Sequence, residues 1–175
     1  MNKILINYNN LYRYYQIEVF NLRILEEKKE SIRSKYFKTT SSASDNTSTK
    51  TNSKKDNYNA YMIELEKGNI LEDIEKQNNI INKLSYYMNK INYNLSELTG
   101  IEYRLFYKVI NGVNISKAVD EVVAENCYNN KKPQDTRIIW KKYYPNVKKE
   151  IEEFNNIQKE IKKMYETEKS TVKVQ

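Results

Sequence analysis

Residues 58–98 read YNAYMIELEKGNILEDIEKQNNIINKLSYYMNKINYNLSEL, and their spacing decides the fold class. Ile63, Lys67, Ile70, Ile74, Gln77, Ile81, Leu84, Met88, Ile91, Leu95 and Leu98 alternate by four and three residues, and nine of these eleven positions are apolar. A 4-3 repeat held this long puts one stripe on one side of an α-helix and imposes a left-handed supercoil on its packing partner. The stretch therefore predicts a long coiled-coil helix over 58–98. Gln77, polar at a seam position, favours one register over its slips. Gly68 inside the helix costs about 1 kcal/mol relative to alanine and marks a kink or a close crossing.

A second stripe precedes it. Ile4, Tyr8, Leu11, Tyr15, Glu18, Leu22, Leu25, Lys29, Ile32 and Tyr36 step by four and three and are apolar except at Glu18 and Lys29, so residues 1–37 read as an amphipathic N-terminal helix. Between the stripes, ten of the fifteen residues 39–53 are Ser or Thr. Such a tract buries too little to offset its ordering entropy, and 38–57 is expected to be a disordered linker. Two partners satisfy the long helix equally: the first helix folded back across the linker, or the same helix in a second copy.

Composition narrows the function. The chain has 175 residues, 39% of them hydrophobic and 30% charged, with a mean hydropathy of −0.88. Three glycines and two prolines cannot punctuate a many-stranded fold, which leaves an all-α protein. Histidine is absent and Cys127 is the single cysteine. Imidazole acid/base catalysis, catalytic triads, zinc clusters and an intrachain disulfide are thereby removed, and Cys127 is expected to be inert. Carboxylate pairs such as Glu152 and Glu153 read as solvated helix surface. No enzyme, cofactor or metal is expected. The apolar start, Met1 to Tyr8, is too short for a signal peptide and no later run approaches a membrane span, so a cytoplasmic protein without membrane contact is expected.

The net charge is +7, and residues 128–149 carry seven basic groups against one acidic. Lys131, Lys132, Arg137, Lys141, Lys142, Lys148 and Lys149 oppose only Asp135, a concentration suited to a polyanion. The local pattern places this cluster after two short helices. Thr99 can N-cap a helix with Tyr103, Phe106, Tyr107 and Ile110 on its buried face, and Asn111-Gly112 supplies a left-handed stop. Asn114 or Ser116 caps a second helix, buried through Ala118, Val119, Val122 and Val123 and ending near Asn126. A polar connector, Tyr128 to Lys132, leads to Pro133 and a third helix with Asp135 and Thr136 in its first turn. Ile138, Ile139 and Trp140 point inward or sideways, with Trp140 a packing anchor, while Arg137, Lys141 and Lys142 point outward.

Three short helices with a basic third make residues 99–150 a helix-turn-helix unit for double-stranded DNA. Thr136 and the neighbouring amides would bond phosphate, Lys131, Lys132, Lys141, Lys142, Lys148 and Lys149 would neutralise it, and Gln134 and Arg137 would reach base edges. Val147, Ile151, Phe154, Ile161 and Tyr165 mark a last amphipathic helix over 151–175, frayed from Ser170.

The order of parts resembles the ArpU/RinA family of phage transcriptional regulators, and the carboxyl half resembles the DNA-binding region 4 of sigma factors. The resemblance rests on the Ser/Thr tract before Tyr58-Asn59-Ala60-Tyr61, on Glu66-Lys67-Gly68-Asn69-Ile70-Leu71-Glu72, on Thr99-Gly100-Ile101-Glu102-Tyr103 and on the run Arg137 to Pro145. It implies an activator of phage or mobile-element late genes that binds promoter DNA and contacts RNA polymerase. The connector from Cys127 to Lys132 is longer than a sigma-like turn. The expectation is thus a DNA-binding regulator that dimerises through its helical segments. Its rivals are a phage terminase small subunit and a coiled-coil scaffold with a basic patch for an acidic protein.

Overall fold

A computed structural model describes residues 7–37, 50–130 and 135–171, and every regular element among them is helical. In chain order these are α1 (Tyr8–Tyr36), α2 (Lys50–Lys67), α3 (Ile70–Glu97), α4 (Gly100–Ile110), α5 (Ile115–Asn130), α6 (Thr136–Ile138), a π-helical stretch (Ile139–Tyr143) and α7 (Tyr144–Thr171). The all-α expectation holds. Among the described residues no helix is long and apolar enough to cross a membrane. The chain forms two compact units, one from Gln16–Asn82 and one from Met1–Tyr15 with Lys83–Gln175.

In the unit of residues 16–82, the polar interruptions of the two stripes meet. Glu18 is only 8% exposed. The Gln77 amide donates to Glu18 Oε2 at 2.7 Å and to the Glu18 main-chain oxygen at 3.0 Å, and the Asn21 amide adds 3.0 Å to the same carboxylate. Further along, Ile32 of α1 packs with Tyr61, Leu65 and Ile70, flanked by Tyr36, Met62 and Ile74. Rising positions on α1 meet falling positions on α3, so the helices are antiparallel within one chain. Beyond that cluster, Glu64 takes Lys35 Nζ and the Tyr36 hydroxyl, each at 2.7 Å, which hold its carboxyl below the ordinary value.

The single helix expected over 58–98 is two. Asn69 adopts φ 51°, left-handed backbone that asparagine tolerates, and its amide bonds the Glu66 carbonyl to close α2. The Asn69 carbonyl then accepts from Asp73 to open α3. A Cβ on Gly68 would stand 3.2 Å from Ile70 Cγ1, so glycine leaves room for a buried isoleucine. The break re-phases the stripe. Tyr61 and Leu65 are buried, whereas the expected Ile63 and Lys67 are exposed. From Ile70 to Leu98 every expected seam position is buried or half-buried, with Ile80 added. Residues 50–57, expected in the linker, belong to α2; residues 38–49 and Ile4 lie outside the described residues.

The second unit packs α4, α5 and the helical run from Thr136 around Leu105, Phe106, Ile110, Ala118, Val119, Val122, Ile139, Val147, Phe154, Ile157 and Ile161. Gly112 at φ 94° ends α4, and its amide bonds the Val109 carbonyl at 2.9 Å, as the Asn111-Gly112 pair predicts. Asn114 caps α5 by accepting from the Ser116 amide at 3.0 Å. Tyr103 and Tyr107 correct the expected buried face: they stack on each other outside, rings 5.8 Å apart, and Leu105 points inward. Their hydroxyls keep access to water that a leucine does not need.

The third and last helices of the expectation, split at 150/151, form one continuous run. Ile138, Ile139 and Tyr144 all hold right-handed helical backbone. Pro145 sits inside this run and lacks the amide that would bond the Lys141 carbonyl. The wider π turn accommodates it, with the Tyr144 amide donating five residues back to the Ile139 carbonyl. The inserted residue also keeps Ile139 and Val147 facing the core. In an ideal α-helix, positions eight apart fall about 80° out of phase.

Three polar contacts tie α7 to α3. Glu153 accepts from the Asn94 amide at 2.9 Å and pairs with Lys90, and the Tyr87 hydroxyl donates to Glu160 at 2.5 Å. Lys90 and then Asn94 hold the Glu153 carboxyl below its ordinary value of 4.5. Burial and the Glu160 carboxylate push the Tyr87 phenol up to about 12.

Gln77→Leu strips one hydrogen bond from the buried Glu18 carboxylate and one from its main-chain oxygen, and is expected to cost about 1–3 kcal/mol in urea unfolding. Glu18→Leu combined with Gln77→Leu recovers most of that loss; equal losses in single and double variants would refute the coupling.

The α3–α7 contacts predict a stability profile with two limbs. Glu153, depressed when folded, contributes above 4.5 and loses its contribution as pH falls through its folded value. Tyr87, raised when folded, contributes below 10.0 and loses its contribution as pH rises toward about 12. Thermal melts across pH should show Glu153→Gln shrinking the acid limb and Tyr87→Phe the alkaline limb; unchanged limbs would contradict the assignment.

Candidate nucleic-acid interface

The basic run begins where the described chain resumes. Asp135 has extended backbone and N-caps α6, its Oδ1 accepting from the Arg137 amide at 2.9 Å and from the Thr136 hydroxyl at 3.5 Å. Asp135 is therefore the cap and not a first-turn residue. The Thr136 hydroxyl and the Arg137 amide, expected on phosphate, face this carboxylate. Thr136 is half-buried. Lys131, Lys132 and Gln134, together with Pro133, lie outside the described residues.

The remaining expected cations share one helical run. Arg137, Lys141, Lys142, Lys148 and Lys149 are all exposed, while Ile139 and Val147 between them are fully buried. The core contact of alternate turns thus holds this basic side toward solvent. From Arg137 to Lys149 the run rises about 18 Å, from twelve steps of about 1.5 Å. Lys148 lies 3.8 Å from Glu152, with both side chains more than half exposed, a pair of negligible strength. Lys142 Nζ stands 5.2 Å from the centre of the Tyr143 ring. Among the described residues, Arg137, Lys141 and Lys142 have no carboxylate within ion-pair distance.

The α4–α5 pair contrasts with this. Lys108 Nζ lies 2.8 Å from both Glu121 and Glu125, which raise its pKa, Glu121 most. Arg104 donates to Asn126 Oδ1 at 2.7 Å and lies 3.9 Å from Glu125. The outer side of α5 carries Asp120, Glu121 and Glu125 against Lys117. Cations of α4 are spent on these carboxylates, so α5 offers phosphate little. α5 itself runs to Asn130, past its expected end near Asn126, which replaces part of the expected connector with helix.

The expectation missed the aromatic part of the basic side. Trp140, expected as a packing anchor, is 37% exposed and Ile138 is exposed, so the indole is covered only in part. Its indole meets the Tyr144 ring edge to face, with 4.9 Å between centroids. The four-residue spacing of Trp140 and Tyr144 was the available signal, hidden by the adjacent Ile139.

The geometry offers a row of exposed cations interleaved with one partly exposed indole, supported from below by a packed core. Compared with protein-family models, curated proteins and solved structures, the chain matches none of them.

Proposed function

We propose that the protein is a sequence-specific DNA-binding transcriptional regulator whose basic helical run from Arg137 to Lys149 meets the duplex. The observation that carries this reading is the division of charge. Cations of α4 are neutralised by α5 carboxylates, whereas Arg137, Lys141, Lys142 and Lys149 stand exposed on one rigid helix. Such a row attracts phosphate over its whole length, and its rigidity lets Arg137 address base edges. α4, α5 and the basic run stand as the three helices of the helix-turn-helix unit, with the basic run as its recognition helix.

On this reading the protein works in the cytoplasm, as the resemblance to ArpU/RinA regulators implies, activating phage or mobile-element late genes with RNA polymerase as a second partner. It acts as a homodimer. Support for pairing comes from α1, where Ile17, Phe20 and Ile24 are exposed at helical spacing on the side away from Glu18. Exposed apolar residues in such a row suit a second helix.

Selection of bound fragments from a random duplex library at physiological salt, with light scattering on the same sample, tests the proposal. A palindromic or tandem motif bound by a dimer supports it. Recovery of no motif favours the scaffold, and a ring of many subunits favours a terminase small subunit. On the selected site Arg137→Ala is expected to cost about 1–3 kcal/mol and relax specificity. Lys141→Ala weakens all sequences alike and flattens the salt slope by about one unit. Identical behaviour of the two variants on selected and random DNA would remove these roles.

A further inference from the structure

Trp140 is the single tryptophan of the chain, and its position is costly unless something covers it. An indole is among the largest apolar groups a core can bury, yet the core position beside it is taken by Ile139 and Trp140 stays 37% exposed. The π-helical stretch fixes this choice. It keeps Ile139 and Val147 inward and leaves Trp140 partly exposed beside the half-buried Tyr144, the two rings meeting edge to face. Arg137, three residues before Trp140, and Lys141, directly after it, are both exposed.

We infer that Trp140, beside Tyr144, is a stacking platform for an unpaired base, so that the basic run holds DNA carrying unpaired bases in addition to the duplex it recognises; this rests on the DNA-binding reading. An aromatic face among cations is how proteins hold single strands. Cations track the backbone while any base can lie on the ring. Charge complementarity selects this occupant over an apolar helix, which would leave Arg137 and Lys141 without counter-charge. A lipid surface fits less well. A helix lying on a membrane needs a continuous apolar side, and the apolar side here, Val147, Phe154, Ile157 and Ile161, is already buried.

Trp140 fluorescence of the full chain reads the contact directly. The titrants are a fifteen-nucleotide strand, its intact duplex, an abasic strand of equal phosphate number, and vesicles of mixed phosphatidylserine and phosphatidylcholine. Expected are strong quenching by the base-bearing strand, little by the abasic strand, and about tenfold tighter binding of the former. Trp140→Ala should narrow the ratio of single-strand to duplex affinity about tenfold and Trp140→Phe should restore most of it, with helicity checked by circular dichroism. Single-strand binding without quenching, or an unchanged ratio in Trp140→Ala, overturns the platform while the DNA-binding reading stands. Failure to bind either DNA form at low salt overturns both. A blue shift on vesicles without quenching by DNA overturns the platform in favour of a lipid surface.

Discussion

A carboxylate taken out of water must be met by donors; Asn21 stays beside Glu18 on α1, and Gln77 reaches it in one alignment of α1 against α3. Apolar contacts along two helical stripes are nearly interchangeable, because leucine opposite isoleucine costs little more than isoleucine opposite leucine. The polar pair is not interchangeable. Sliding the helices by one heptad would set Glu18 against Leu84 or Ile70 and Gln77 against Leu11 or Leu25, leaving donor and acceptor unmatched in an apolar seam. An unpaired buried carboxylate costs several kcal/mol, comparable to burying one or two leucines at about 1.5–3 kcal/mol each. One hydrogen-bonded pair therefore selects the register that many hydrophobic contacts leave open.

That selection was half legible before the structure. The interruptions at Glu18 and Gln77 stand out in otherwise apolar stripes, and the stripes themselves follow from spacing alone. Their meeting was not legible, since a stripe names a face and not its partner. The break at Asn69 was hidden for a different reason. Gly68 signals weakness, but the left-handed residue is Asn69, whose conformation is stabilised by main-chain bonds to α2 and α3 and by the room Ile70 needs. Once the backbone turned there, the seam before it moved from Ile63 and Lys67 to Tyr61 and Leu65. Tyrosine also blurred the pattern. With 16 in the chain, each is apolar enough for a core position and polar enough for a surface, and Tyr103 and Tyr107 took the surface.

In the basic unit, local turn chemistry was the legible part. Asn111-Gly112 and Asn114 act where their residue types place them. Pro145 is unfavourable inside a helix through its missing amide and its clash with the preceding turn, yet the chain answers with a wider turn and continues. The exposure of the five cations from Arg137 to Lys149 agrees with the charge count, but their common support on one uninterrupted run depended on that wider turn.

The same turn links core and surface chemistry. Along a uniform α-helix, a residue's outward or inward direction follows from its number alone, so a buried Ile139 and a buried Val147 would be out of step and one would swing outward. The inserted residue absorbs the mismatch within Ile139–Tyr143, the segment that also holds Trp140, Lys141 and Lys142. Packing below the helix thereby dictates which side chains stand above it. The cations of α4, clamped by Glu121 and Glu125, remove their own field from the neighbouring surface, and the unclamped row beyond Asp135 is left as the concentrated positive potential. On the proposed DNA-binding reading, attraction for phosphate would be set as much by the charges that α5 cancels as by the lysines that remain.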